Sequence, residues 1–444
     1  MTLPRRALVV GFQRTGQAVA RVLRARGTAV RVLDARPASD LGVRAADWEG
    51  VELRLGDAAG AGALDGVDLV VPSPGVPRRH ALLAEAETRG IPIASEIELA
   101  ARLGTARLVA ITGTNGKSTT TTLVGRALEL AGVRTFTGGN LGRPLIEAVG
   151  SDAAVWVAEV SSFQLEWVER FRPAVGCLLN VTPDHLDRHA DFAEYRDAKA
   201  RLFAAQTPAD AAVVNRDDPV AAAIGAGLVA RRFSFGERPV AEGAFVADGA
   251  VVVRLAGREE RVRLERTRLA GRHNTENVMA AALVARLAGA PLAAVQQAVD
   301  TMDPLPHRLT LVAERAGVRW YDDSKATNVG AAVKSLASFA GPVVLLAGGV
   351  DKGGDYAPLA EAARDKARLV LVFGAARERI AASLAGAGVA VRRVDDLTEA
   401  VETAAAAAQP GDVVLLAPAC SSFDMFRDYA ERGRAFARAV EELG

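Results

Sequence analysis

The segment Gly113-Thr114-Asn115-Gly116-Lys117-Ser118-Thr119 follows an apolar run, RLVAIT, and precedes a helical stretch. Glycines let backbone N–H groups wrap phosphate oxygens, and the helix N-terminus adds the positive end of its dipole. Lys117 would reach the β- and γ-phosphates of a nucleotide, and the Ser118 hydroxyl would ligate Mg²⁺. The segment is a shorter variant of the usual phosphate loop, because Ile111 stands where that loop has its first glycine. A plain glycine turn opening a helix is the competing reading, and the agreement of strand, Gly-Lys-Ser and helix argues against it.

Further polar groups fall after other apolar runs. Glu159 ends AVWVAE, and a strand-end carboxylate suits Mg²⁺, which takes one or two carboxylates together with phosphates and waters. Asp184-His185-Leu186-Asp187-Arg188-His189 follows the next run. His185 and His189 have i, i+4 spacing, but Leu-Asp-Arg between them and the lack of cysteine ligands speak against zinc, and a salt-bridged helix start is the structural alternative. Lys199, in a predicted helix, reads on its own as a solvated lysine. The N-terminal GFQRTG, with Asp34 closing the second strand as a ribose acceptor, suits a nucleotide-like ligand. Gln13 replaces the second glycine of a dinucleotide fingerprint, which weakens an NAD reading. Gly271-Arg272-His273-Asn274, Pro306-His307-Arg308, Asp322 to Asn328, Gly348 to Gly354 and Pro418 to Asp424 each read alone as turn or cap chemistry. Together, after successive strands, they describe a site for small charged ligands.

Composition narrows the class. Lys plus Arg is 54 against 53 Asp plus Glu, giving a net charge of +1. Near-neutrality without a basic block excludes a nucleic-acid or membrane-surface binder. No apolar run reaches the length of a membrane span, and MTLPRRALVVGF lacks the h-region of a signal peptide. Two distant cysteines make neither a disulfide framework nor a zinc pattern, and Cys177 reads as core. A cytoplasmic globular protein is expected. Only six of the 54 cations are lysines, at 117, 199, 325, 334, 352 and 366. Where arginine is the default cation, a retained lysine marks a place where a compact or reactive amine is needed.

The elements that must position these groups are stacked βα units. ALVVG, AVRVLD and LVVP read as buried strands of a first unit. RLVAIT, AVWVAE, AVGCLLN and AAVVN form a second, which turns to alternating strands between about 230 and 268 with an Asp248-Gly249 hairpin. An alanine-rich helix follows over 274–288. After Asp303-Pro304-Leu305-Pro306 come VRWYDDS, PVVLLAGG, RLVLVFG and VVLLAPA, with the alanine tract near 404 as helix. The polar groups stand at the C-terminal ends of strands, where ligands bind in open parallel sheets.

TGTNGKST, GGNLGRP, AEVSSFQLE, NVTPDHLDRH, GRHNTEN, PHR, DDSKATN, GGVDKGGDY and PACSSFDMF, in this order, resemble the Mur ligase family along essentially the whole chain. The resemblance implies an α/β protein of three domains. These are an N-terminal Rossmann-like UDP-substrate domain over 1–95, a central P-loop ATPase-like parallel sheet with a small antiparallel part over 96–304, and a C-terminal Rossmann-like amino-acid and nucleotide domain over 305–444. It implies an ATP-dependent amide ligase of peptidoglycan precursor synthesis, acting as a monomer. DSKATN followed by GGVDKGG points within the family to D-glutamate as the acceptor added to UDP-N-acetylmuramoyl-L-alanine; another acceptor such as L-glutamate is the alternative. Carried over by residue, Gly113, Thr114, Asn115, Gly116, Lys117, Ser118 and Thr119 hold ATP phosphates, while Asn274, Arg308 and Asp323 hold the adenine nucleotide. Ser118, Glu159, His185 and a carbamylated Lys199 (a CO₂ adduct) serve the Mg²⁺ ions, two in number, and Lys117, Glu159, His185 and Lys199 form the catalytic set. Arg14, Thr15, Asp34, Arg36, Ser73, Gly75 and Asn140 sit at the UDP-muramoyl substrate. Lys325, Thr327, Lys352, Ser422 and Tyr429 sit around the acceptor.

Overall fold

The computed structural model describes residues 3–57, 60, 62–269 and 271–443. Its α/β architecture carries three sheets, as expected. In the first, β1 (Arg6–Val10), β2 (Ala29–Asp34), β3 (Val51–Leu55) and β4 (Leu69–Pro72) run parallel in the order β3-β2-β1-β4. Leu8, Val10, Leu33 and Val70 fill its core. Strand β3 has no counterpart in the sequence reading: VELRL is an edge strand with no fully buried residue, so it lacks the apolar run that marks its neighbours.

The second sheet comprises β5 (Arg107–Thr112), β6 (Thr135–Gly139), β7 (Val155–Glu159), β8 (Val175–Leu178), β9 (Ala211–Asn215), β10 (Arg231–Gly236), β11 (Gly243–Ala247), β12 (Ala250–Leu255) and β13 (Arg258–Arg263). Its order is β13-β12-β11-β10-β9-β8-β5-β7-β6, with β5 through β11 parallel and β12 and β13 antiparallel. Asp248 and Gly249 have φ of 49° and 71°, as a two-residue hairpin turn requires. Cys177 is buried in β8.

The third sheet comprises β14 (Thr310–Arg315), β15 (Val318–Asp322), β16 (Val343–Gly348), β17 (Ala367–Phe373), β18 (Val391–Arg393) and β19 (Val413–Leu416), ordered β14-β15-β19-β16-β17-β18. β14 is antiparallel to β15 and the rest are parallel. Val343, Leu345 and Ala347 pack into one apolar layer and Val344 and Leu346 into the other. A strand covered on both faces needs this uninterrupted apolar run.

The chain divides into two compact units: Met1–Val181, Arg196–Thr267 and Glu276–Thr301 form one, and Thr182–Tyr195, Arg268–Thr275 and Met302–Gly444 the other. Among the described residues no helix is long and apolar enough to cross a membrane.

Candidate active site

In the first unit, β5 delivers Thr112 to the sheet edge and the helix Lys117–Leu130 begins at the loop lysine. Gly116 has φ +87°, and a Cβ there would lie 2.2 Å from Asn277 Oδ1, so the loop admits only glycine at this position. Asn180 clamps the loop: its carbonyl accepts from Thr114 N at 2.9 Å, its Oδ1 from Asn115 N at 2.8 Å, and its Nδ2 donates to Asn115 O at 3.1 Å. Thr114, Ser118 and Thr119 are buried. Lys117 Nζ donates to the carbonyls of Gly113 (2.9 Å) and Thr114 (2.8 Å).

Lys199 is not a solvated lysine. It is 1% exposed, and its Nζ donates to the same Gly113 carbonyl at 2.9 Å. Two amines thus converge on one oxygen of the phosphate loop. Glu159, also buried, accepts from Asn140 Nδ2 at 2.7 Å through Oε1, whereas its Oε2 is buried without a hydrogen-bond partner. A buried orphan carboxylate oxygen is strongly disfavoured unless a cation or donor meets it. Among the described residues no three His, Cys, Asp or Glu side chains gather as a metal cage. Glu159 with the Ser118 hydroxyl fits Mg²⁺, which leaves most of its coordination to phosphates and waters.

At the first sheet, Asp34 ends β2 and both its oxygens are engaged. Oδ2 accepts from Phe12 N (2.7 Å) and Arg36 Nη2 (2.8 Å), and Oδ1 from Arg36 N (2.9 Å) and Nε (3.0 Å). Burial alone would raise its pKa, but these hydrogen bonds and the Arg36 charge outweigh it and hold the carboxyl below the ordinary range. Asp34 therefore anchors Arg36 rather than standing free as a ribose acceptor. Ser73 Oγ donates to Gly11 O at 2.8 Å, and exposed Gly75 lies in the turn that follows. Gln13 stands at the N-cap position of the helix Arg14–Ala25 without a side-chain capping bond, with Arg14 exposed and Thr15 half-buried at its start. Asn140 is exposed beyond β6.

In the second unit, Asp184 is the hub of its segment. Its Oδ2 accepts from Asn328 Nδ2 at 2.9 Å and its Oδ1 meets Lys352 Nζ at 3.3 Å. His185 has φ +56°, and the residues around it form turns, the helix starting only at Phe192. The helix-start reading of 184–189 thus fails, although turn bonds from Arg188 N (3.0 Å) and His189 N (2.9 Å) to His185 O and the ion pair of Asp184 with Lys352 remain. His189 is buried edge-on against Tyr195, 5.3 Å between centroids.

Asp323 follows β15 and accepts from the Ser335 hydroxyl. Burial pushes its carboxyl up to about 6, against the pull of Ser335 and Arg308. Burial, with Lys334 and Arg308 nearby, pushes His273 down to about 4. Asn274 is half-buried beside it. Lys325 Nζ lies 3.7 Å from the Tyr429 ring centroid, a cation–π contact. Thr327 is half-buried, its amide donating to Lys325 O at 2.8 Å, and Ser422 is buried after β19. Arg432 ties three post-strand loops together. It is 0% exposed and donates to Ser324 Oγ (2.9 Å) and to the carbonyls of Ser324 (2.9 Å), Gly348 (3.3 Å), Cys420 (3.1 Å) and Ser421 (3.3 Å).

Comparison with known proteins supplies the family. The sequence matches the MurD-like Mur ligase N-terminal domain over residues 5–95, the Mur ligase middle domain over 111–285 and the Mur ligase glutamate ligase domain over 307–420. The chain belongs to the Mur ligase family. It is 49% identical over 441 residues to the UDP-N-acetylmuramoylalanine–D-glutamate ligase of Geobacter metallireducens, covering 98% of this chain and 97% of that one. It is 48% identical to the enzyme of the same name from Syntrophotalea carbinolica, covering 98% and 97%. Among solved structures, the pseudomurein peptide ligase type C of Methanothermus fervidus shares the fold at TM-score 0.64 and 18% identity, over 99% of this chain and 100% of that one. The MurF ligase of Thermotoga maritima in complex with ADP does so at TM-score 0.59 and 19% identity, over 86% and 91%.

Five residues of this Mur ligase emerge to which the sequence reading gave no role of their own: Asn180, Asp184, Asn277 and Asn328, which stand inside quoted motifs, and Arg432, which stands in none. Asn277 had a faint signal, one helical turn past Asn274 in GRHNTEN. Arg432 had none, since an arginine in AERGRAF looks like any other on an amphipathic helix.

Proposed function

We infer that this Mur ligase uses ATP to join D-glutamate to UDP-N-acetylmuramoyl-L-alanine, forming an amide in peptidoglycan precursor synthesis in the cytoplasm. The observation that carries the reading is identity of nearly one half, over the whole chain, with ligases of that name. In the same reading residues 1–95 take the UDP-substrate, 96–304 the ATP and 305–444 the acceptor.

A carboxylate resists attack by an amine, so an oxygen of the L-alanine carboxylate first attacks the γ-phosphorus of ATP, the bond to the β-phosphate oxygen breaks, ADP leaves and an acyl phosphate forms. The D-glutamate amine then adds to the acyl carbon, and the tetrahedral intermediate expels phosphate. Lys117 and the loop amides stabilise charge on the transferred group. Glu159, Ser118 and His185 would hold Mg²⁺, which when bound neutralises phosphate charge. Lys199 would act as a carbamate: its ammonium gives up one proton, the neutral nitrogen bonds to the carbon of CO₂ and gives up a second, so that an anion stands where one of the two amines met Gly113 O. Asn274, Arg308 and Asp323 hold the nucleoside, Arg36 and its neighbours the UDP moiety, and Lys325, Thr327, Lys352, Ser422 and Tyr429 the acceptor.

The test is phosphate release from ATP with UDP-N-acetylmuramoyl-L-alanine and either enantiomer of glutamate. Release with D-glutamate alone is expected. Release with L-glutamate alone would replace the acceptor assignment.

A further inference from the structure

The helix Glu96–Leu103 buries two carboxylates in its first turn, Glu96 at 1% and Glu98 at 0% exposure. They are neutralised differently. Glu98 accepts from the amides of Glu169 and Arg170 and pairs with Arg102. Glu96 has no cationic partner among the described residues. Its Oε1 accepts from Ile146 N at 2.6 Å and its Oε2 from Gln164 Nε2 at 3.5 Å.

Those two partners belong to the segments that leave the C-terminal ends of adjacent strands β6 and β7. The first segment carries Asn140 and the second starts at Glu159. The two are joined once at the strand ends, by Asn140 N to Glu159 O at 2.8 Å and Asn140 Nδ2 to Glu159 Oε1 at 2.7 Å. Glu96 joins them a second time, farther out. We propose that Glu96 is a positioning residue that holds the Asn140 and Glu159 loops in register through its ionised carboxylate. The proposal rests on the reading above, in which Asn140 meets the muramoyl substrate and Glu159 the metal.

The proton state matters because both partners are donors. A protonated carboxyl would turn an O–H toward the Gln164 amide N–H₂, donor against donor. Gln164 cannot flip to compensate, because its Oε1 already accepts from Ser161 N at 3.0 Å in a capping box. Burial, followed by the opposing hydrogen bonds and the nearby Glu147 charge, leaves Glu96 pushed up to about 7. The other charges around it are themselves engaged: Glu147 with Arg143 at 2.8 Å, Glu98 with Arg102, and Glu166 at the end of the helix Ser162–Leu165. The second link between the loops therefore loosens on acidification near neutrality.

The test is steady-state kinetics of the full chain and of Glu96→Gln across about pH 6 to 8. The side-chain amide of that variant mimics the protonated state permanently. Expected is a KM for the UDP-muramoyl substrate raised about fivefold, with a parallel rise in the Mg²⁺ needed for half-activation. The kcat and the KM for D-glutamate should stay within about twofold. The wild-type muramoyl KM should climb as the pH falls, and that of the variant should be flat. Parallel pH profiles, or an equal rise in the D-glutamate KM, would overturn the proposal. Hydrogen exchange of the wild-type peptides spanning 140–148 and 160–166 gives a readout independent of turnover and of the variant's folding. Their protection should drop as the pH falls through about 7, and pH-independent protection, after correction for intrinsic exchange, overturns the role of Glu96. Absence of phosphate release from wild-type protein would overturn the functional reading alone.

Discussion

The phosphate loop and the Asp184 cluster hold their amines by opposite means. Lys117 and Lys199 rest on backbone carbonyls, whereas Lys352 rests on a carboxylate. A carbonyl dipole orients the Lys117 ammonium without cancelling its charge, so the loop retains its attraction for a polyanion. A lysine already facing Asp184 offers an incoming carboxylate only the surplus of that attraction, which suits a small amino acid more than a triphosphate. Backbone makes the first site and side chains from distant segments make the second.

Lys199→Ala should break the first arrangement most severely, lowering phosphate release about 100-fold or more. Short carboxylic acids in the assay should restore part of that rate by supplying an anion at the carbamate position, and wild-type-like turnover would remove Lys199 from the mechanism. Arg432→Met probes the side-chain site as a scaffold. Leaving its carbonyl partners unsatisfied should cost about 3 kcal/mol in a urea titration, and Arg432→Lys should not restore it, since an ammonium cannot reproduce the fork. Asp184→Asn tests the sharing of Lys352. The KM for D-glutamate should move about tenfold while that for ATP holds, and a change in ATP alone would merge the two sites.

The smallest effect belongs to Asp323. Its folded carboxyl value, about 6, lies above the ordinary one. Its stability contribution is therefore fully present below the ordinary carboxylate range and is lost as pH rises through about 6. Its availability as an acceptor runs the other way, so the KM for ATP should rise about threefold as pH falls below 6, and Asp323→Asn should flatten that limb.

The same contrast explains what could be read from the chain. The phosphate loop was legible because its glycines and its lysine lie within a few residues and act through main chain. Lys199 reaches Gly113 across 86 positions, and apart from the family resemblance only the scarcity of lysine hinted that it mattered. Asp184 was visible as part of a motif, but its partners Asn328 and Lys352 lie 144 and 168 residues away. Strands buried on both faces announced themselves as apolar runs. The edge strands β3 and β14, with no fully buried residue, did not.

The second unit is discontinuous, drawn from three stretches of chain between Thr182 and the C-terminal region. On a ribosome, Asp184 emerges long before either of its partners. The phosphate loop, whose contact with Lys199 spans 86 residues, can close first, while Asp184 waits for its partners. Synthesis thus sets an order of assembly, phosphate loop before Asp184 cluster. A C-terminal fragment beginning at residue 302 would be made without the carboxylate that its Lys352 and Asn328 require.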